Sequence, residues 1–262
     1  MNTKDRLYYS AKRFFLAFSY VALYWICGVL LRLFIVNSSL VSSAMADGIF
    51  IITSFILYFA FGYYKRDKER YHVPLKASSF GFIFVVFLVV YGATQSLGLW
   101  YLTNFGDMGF SQHQTTANSL GVTIRLIFQI VLAPITEELL FRGVVYNILK
   151  SKDKKSGYTM TWFSAVICSS LMFGLMHGNT VQIITAMLSG FWFCLIYELT
   201  GKLWFSCLFH MIYNTISQFG FVASVLPYQH VVVCVILVLA ATVLCVYMIT
   251  RLDTEHKYLS VD

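Results

Sequence analysis

The chain of 262 residues is 58% hydrophobic, 18% aromatic and only 12% charged, whereas soluble domains carry about 25% charged residues. Apolar runs of the ~20 residues needed to span a bilayer recur along it, which excludes a soluble globular class and leaves no room for a separate soluble domain. The net charge of +7 would suit nucleic acid, but no basic stripe interleaves with aromatics on a soluble face, so a nucleic-acid partner is excluded and the lipid bilayer is expected instead.

The expected fold is all-α, a polytopic membrane protein of about eight transmembrane helices. The first span covers about 14–36, after a basic N-terminus, and is too long for the core of a signal peptide. Arg32 near its end can snorkel to the interface. Span two covers about 40–64, span three 79–102 and span four 119–149, which Lys150, Lys152, Lys154 and Lys155 close. Span five covers about 159–177, span six 180–199, span seven 203–220 and span eight 229–250. Asn179 or Thr180 is placed to cap span six, and Gly201-Lys202 is a short turn after it.

Basic residues orient these spans. With the N-terminus in the cytoplasm, Lys4, Arg6, Lys12, Arg13, Lys65, Arg66, Lys68, Arg70, Lys76, the lysines at 150–155, Lys202, Arg251 and Lys257 all fall inside. The external segments 37–47, 103–118 and 221–228 hold no Lys or Arg. The bias is that of a multi-pass cell-membrane protein with both termini cytoplasmic. The six cysteines (Cys27, Cys168, Cys194, Cys207, Cys234 and Cys245) lie in apolar runs without a Cys-x-x-Cys, and read as small buried residues. Cys207, three before His210, is read as packing rather than half of a metal pair.

Within span four, residues 134–147 read Pro-Ile-Thr-Glu-Glu-Leu-Leu-Phe-Arg-Gly-Val-Val-Tyr-Asn. An acid at mid-bilayer is costly, so Glu137, Glu138 and Arg142 form either a functional site or an ion pair that fixes packing. Glu138 and Arg142 are four apart and can pair along a helix, while Glu137 points about 100° away around the axis. Glu137 is therefore assigned as the reacting acid, with Glu138 and Arg142 as its support. Pro134 removes a helix hydrogen bond just before them.

Two further spans carry polar residues. Phe173 and His177 are four apart in span five, as are His210 and Asn214 in span seven. His72, His113, His230 and His256 fall in loops, span edges or the tail and are read as solvated or interfacial. Two histidines, an asparagine and a glutamate pair on three spans each cost insertion energy unless they meet. Together they are a hydrolytic set: a carboxylate or imidazole takes a proton from water, and a second imidazole and an amide donate to the developing oxyanion. Glu137, His177 and His210 are equally a ligand set for zinc or another divalent metal, and spacing does not separate the two versions. By simple depth along the helices, His177 would sit nearer the outer face and His210 nearer the inner one, and Arg125 in the outer part of span four has no assigned role.

Other protease chemistries fit less well. His-Glu-x-x-His is absent. Met187-Leu188-Ser189-Gly190 lacks the first glycine of a rhomboid-like Gly-x-Ser-Gly, so a Ser189–His210 dyad is disfavoured. Asn104-Phe105-Gly106-Asp107 is not a presenilin-like Gly-x-Gly-Asp.

Glu137-Glu138-x-x-x-Arg142, Phe173-x-x-x-His177 and His210-x-x-x-Asn214, in order and each within a span, resemble the three motifs of the CAAX-protease and bacteriocin-processing (CPBP/Abi) family of intramembrane proteases. The resemblance covers about residues 119–220 and divides the chain into N-terminal helices (1–118), a catalytic core of helices four to seven (119–220), and an eighth helix with a cytoplasmic tail (221–262). It implies an eight-helix fold with the site inside the bundle. It also implies endoproteolysis of a membrane-associated peptide or protein, with Glu137 and His177 activating water and His210 and Asn214 holding the oxyanion. The family is described both as metalloprotease and as metal-free glutamate protease. The metal-free version is preferred, with zinc as the alternative. A bacterial member is expected, in CAAX-type, bacteriocin or pheromone processing, or self-immunity. A non-catalytic immunity factor or sensor-kinase modulator is the competing reading. A transporter is disfavoured, because no paired half-repeats of interrupted helices are seen.

Overall fold

A computed structural model describes residues 3–34, 39–61, 63, 77–106, 126–152, 157, 159–219 and, in the expected eighth span, 232–233, 235–236, 239–244 and 247. Arg125, His72, His113, His230, His256, Cys234 and Cys245, and the side chain of Arg32, lie outside the described residues.

Every regular element among the described residues is helical. We name them α1 (Thr3–Phe34), α2 (Ser39–Ala60), α3 (Ala77–Phe105), α4 (126–149), α5 (Trp162–Leu175), α6 (Thr180–Thr200) and α7 (Leu203–Phe219). Thr3–Leu31, Phe80–Phe105 and Thr180–Thr200 are long and apolar enough to cross a bilayer, while Met45–Ala60 and Trp162–Leu175 are apolar but shorter. Large apolar side chains such as Leu33, Phe55 and Val85 stay exposed along the outer helices, as lipid-facing surfaces require. The chain is a helical membrane protein.

Two boundaries differ from expectation. Helix α1 begins at Thr3, well before residue 14, and its polar first turns run beyond the apolar stretch. Helix α5 has 14 residues, about 21 Å at 1.5 Å per residue, and is too short for a ~30 Å apolar slab. The turn 176–179 that follows it therefore falls inside the slab when the other end of α5 sits at a surface. The expected depth conflict between His177 and His210 is met by contact: both imidazoles stand against the Phe173 ring.

Capping fixes the turn. Asn179 is the N-cap of α6, its side chain accepting from the Gln182 amide at 2.9 Å. At the other end Gly201 takes φ +60, the left-handed C-cap conformation that glycine adopts without strain.

Helix α4 departs most from expectation. It alternates between α and π geometry: π over Phe128–Leu132, α over Ala133–Glu138, π over Leu139–Val145 and α over Tyr146–Leu149. The first π turn precedes Pro134, which lacks the N–H an α-helix would use. Backbone groups left over are taken by side chains: Thr136 donates to the Leu132 carbonyl at 2.9 Å, and Asn147 to those of Arg142 and Gly143 at 3.0 and 3.1 Å. Such π segments recur at functional sites.

Lipid gives apolar helices no hydrophobic drive to associate, so close packing and interhelical hydrogen bonds hold the bundle. Gly174 of α5 lies so close to α6 that an added Cβ would come within 2.8 Å of the Ile183 carbonyl oxygen. One core joins α1, α2, α4, α5 and α6 through Ala17, Phe50, Phe141, Val166 and Leu195. A second joins α3, α6 and α7 through Phe87, Phe193 and Phe209. At one end of the bundle Lys150 pairs with Glu198 at 2.6 Å, and Arg13 of α1 donates to the Lys152 carbonyl.

Candidate active site

The fully buried carboxylate of Glu138 is the hub where α4, α6 and α7 meet. Its Oε1 accepts from Arg142 Nη1 at 2.9 Å and from His210 Nδ1 at 2.9 Å, and its Oε2 from the Ser206 hydroxyl at 2.7 Å. Three donors satisfy an anion that would otherwise be prohibitive in an apolar bundle. Arg142 is equally buried. Its Nη2 donates to the Gly190 carbonyl of α6 at 2.6 Å, and its guanidinium lies 4.8 Å from the Phe173 ring centroid and 5.5 Å from that of Phe193. The ion pair sits where the two apolar cores adjoin.

Glu137, one residue earlier, faces elsewhere. Its side chain keeps 27% exposure against 0% for Glu138, and its Oε2 lies 3.6 Å from His210 Nε2. Because Glu138 is acceptor-only, the His210 proton sits on Nδ1, and Nε2 is the nitrogen turned towards Glu137. In the neutral ring Nε2 is an acceptor, and only the imidazolium donates from it. At 3.6 Å the contact is too long for a direct hydrogen bond, and leaves the carboxylate within Coulombic reach of the ring.

His177 ends one turn beyond α5. Its Nδ1 lies 3.0 Å from the Phe173 carbonyl, which only accepts, so the neutral ring keeps Nε2 as its acceptor. The Phe173 ring stands edge-on to both imidazoles, with centroids 5.1 Å from His177 and 5.8 Å from His210. Asn214 donates one amide N–H to the Gln129 carbonyl in the first π turn at 2.8 Å, a bond that leaves its second N–H unused. The fold thus bonds Glu138, Arg142 and His210 to one another, brings Glu137 to 3.6 Å from His210, and sets Phe173 against both histidines. Asn214 is anchored one turn further along α7.

The metal alternative is not drawn together. Among the described residues no three of His, Cys, Asp and Glu stand close enough to share an ion, and Glu137, His177 and His210 do not form such a set. The serine alternative gains no support, since among the described hydrogen bonds Ser189 donates to the Ala186 carbonyl at 3.2 Å and none joins it to His210. Cys207, like Cys27, Cys168 and Cys194, is a free thiol.

Four participants escaped the sequence reading. Ser206, Gln129 and the Gly190 carbonyl carry no mark in a sequence, being a small hydroxyl, a span-edge amide and a backbone atom. Asp47, in α2, had a signal: it is an acid inside an apolar run. It is 6% exposed, and its Oδ1 accepts from the Tyr24 hydroxyl of α1 at 2.5 Å. Asp47 lies within electrostatic reach of Glu137, as Glu138 and Arg142 do.

Gly190 is a place where space, rather than conformation, forbids a side chain. A Cβ there would lie 2.6 Å from Phe173 Cδ1 and 3.3 Å from Arg142 Nη2. The Phe173 ring is packed on every side and cannot retreat, so Gly190→Ala is expected to cost about 1–3 kcal/mol by overpacking. Thermal unfolding in detergent reads it, and an unchanged midpoint would contradict this geometry.

Residues 119–216 match the family described as Type II CAAX prenyl endopeptidase Rce1-like. This segment is similar to the CAAX-protease family. Over 94 residues the chain is 28% identical to a Bacillus subtilis (strain 168) protein named "Putative membrane peptidase YdiL". That alignment spans 36% of this chain and 36% of the relative's own length. No solved structure matches the chain. The matched segment begins ahead of the described part of α4 and ends in α7, so it contains every residue of the CAAX-protease motifs but neither Asp47 nor Tyr24.

Proposed function

We propose that the protein is an intramembrane endopeptidase that hydrolyses a peptide bond of a membrane-associated protein or peptide. The observation that carries this reading is the 3.6 Å approach of Glu137 Oε2 to His210 Nε2, backed by a fully buried Glu138 that fixes the imidazole. In this reading Glu137 takes a proton from water as the water oxygen attacks the scissile carbonyl, and His177 Nε2 accepts the water's other hydrogen. His210 enters the step as the imidazolium, and the oxyanion receives the second N–H of Asn214 and the Nε2–H of His210, which keeps its proton throughout. The proton held by Glu137 then passes to the departing amine. Glu138, Ser206 and Arg142 hold His210 in place, as the carboxylate of a hydrolase triad holds its imidazole.

The matched family's description points to prenylated C-terminal tails as one substrate class, and maturation of bacteriocin or pheromone peptides is another. Membership in a bacterial cell membrane, with both termini cytoplasmic, belongs to the same proposal. A reporter fused at residue 110 would then lie outside the cell.

The test reconstitutes the purified protein in vesicles with a pool of apolar-tailed peptides, prenylated C-terminal tails included. New peptide termini are identified by mass spectrometry, with and without a chelator. Defined new termini formed in both conditions support the metal-free reading. Termini lost with chelator and restored by zinc move Glu137, His177 and His210 to metal ligands. No new terminus from any peptide favours a non-catalytic immunity factor or sensor-kinase modulator.

A further inference from the structure

The catalytic reading leaves one buried acid unused. Asp47 stands in the apolar helix α2, outside the segment that matches the CAAX-protease family, and a carboxylate at such a place is costly. No cation pairs with it among the described residues. Its Oδ1 is held by the Tyr24 hydroxyl. Among the described residues its Oδ2 has no hydrogen-bond partner and is not a fully buried atom left without one, so it borders accessible space. Asp47 and Tyr24 both lie within electrostatic reach of Glu137.

Packing places this acid relative to the site. Both α2 and α7 pack on the segment Ala133–Glu138 that carries Glu137, while α2 and α7 scarcely touch each other. Helix α2 carries Asp47 and α7 carries His210 and Asn214, so both meet the helix segment that bears the partly exposed Glu137.

A substrate peptide bond is planar and trans, so its carbonyl and its N–H point to opposite edges. In a water-poor site both edges need partners, because an unpaired backbone group there costs several kcal/mol. The α7 flank offers donors for the carbonyl edge. The α2 flank offers one acceptor, the spare oxygen of Asp47, held rigid by Tyr24.

We propose that Asp47 accepts the N–H of the scissile peptide, so that the substrate lies between α2 and α7 with Tyr24 fixing its acceptor. The N-terminal helix pair is then a wall of the substrate site. This inference rests on the endopeptidase reading.

The test compares a peptide found to be cleaved with its analogue in which the scissile amide is an ester, which lacks the N–H. Wild type, Asp47→Ala, Asp47→Asn, Tyr24→Phe and Glu137→Gln are reconstituted in the same vesicles. Losing a hydrogen bond to a charged acceptor should lower kcat/KM of Asp47→Ala on the amide about 10- to 100-fold. On the ester the same variant should lose at least about tenfold less, because any effect of the Asp47 charge on Glu137 is common to both substrates. Tyr24→Phe should show a smaller loss, again greater on the amide. Asp47→Asn, which keeps an acceptor oxygen and the size of the side chain, should recover part of the amide rate. Equal losses on amide and ester, or no loss on the amide, would overturn the assignment even while Glu137→Gln remains inactive and the endopeptidase reading stands. Wild type and Glu137→Gln behaving alike on the amide would overturn both.

Discussion

Arg142→Met is expected to destabilise the protein by about 3–5 kcal/mol, the cost of leaving one member of a buried ion pair alone. Glu138 would lose the donor at 2.9 Å that shares its Oε1 with His210, while remaining at 0% exposure with no water to replace it. The Gly190 carbonyl would lose its partner too. Methionine fills much of the same volume, so the loss reports charge and hydrogen bonding rather than a cavity. Unfolding in detergent measures the cost, and protein abundance in the membrane follows it. A second substitution sharpens the result. Adding Glu138→Gln to Arg142→Met removes the orphaned charge and should restore part of the stability. Activity should stay lost, because an amide at 138 no longer presents the carboxylate that orients His210.

The second large effect is on rate alone. His210→Asn keeps an amide donor within reach of Glu138, so the hub retains most of its hydrogen bonds. It removes the imidazole nitrogen that faces Glu137. Positioned proton-handling groups contribute about 10²–10⁴-fold to rate, and a loss in kcat of that order is expected with an unfolding midpoint close to wild type. Rates at saturating peptide, read beside thermal unfolding of the same preparation, separate the two effects. A folded variant with near wild-type kcat would remove His210 from the chemistry.

The parts of this site legible in sequence are those that violate their surroundings. Glu137, Glu138, Arg142, His177, His210 and Asn214 are ionisable or amide groups in apolar runs, and the cost of placing them there is readable without coordinates. The i,i+4 spacing of Glu138 and Arg142 is likewise a local property of the chain, and they pair at 2.9 Å. What stayed hidden is of three kinds. The π turns of α4 depend on which carbonyls find side-chain donors, and Thr136, Asn147 and Asn214 supply them from three separate positions. The depth of His177 depends on α5 stopping after 14 residues, whereas the apolar run suggested a full span. Partners such as Ser206 and the Gly190 carbonyl act through tertiary contact, and a serine or glycine in an apolar helix reads as packing. Asp47 was hidden for a different reason. An acid four residues before Ile51 near the start of a span reads as interfacial, until Tyr24 and the Glu137 segment are seen to bury it.

The most direct measurement is the cleavage rate of Glu137→Gln beside wild type, in the same vesicles, on a peptide the wild type cuts, with unfolding recorded for both. Glutamine keeps the size of the side chain but holds no proton-accepting carboxylate. Glu137 is only in loose contact with His210, at 3.6 Å, and takes no part in the buried hub. The expected result is a folded protein whose cleavage falls by about 10²–10⁴-fold or more. Cleavage at near wild-type rate by folded Glu137→Gln would contradict the assignment of this carboxylate as the group that activates water.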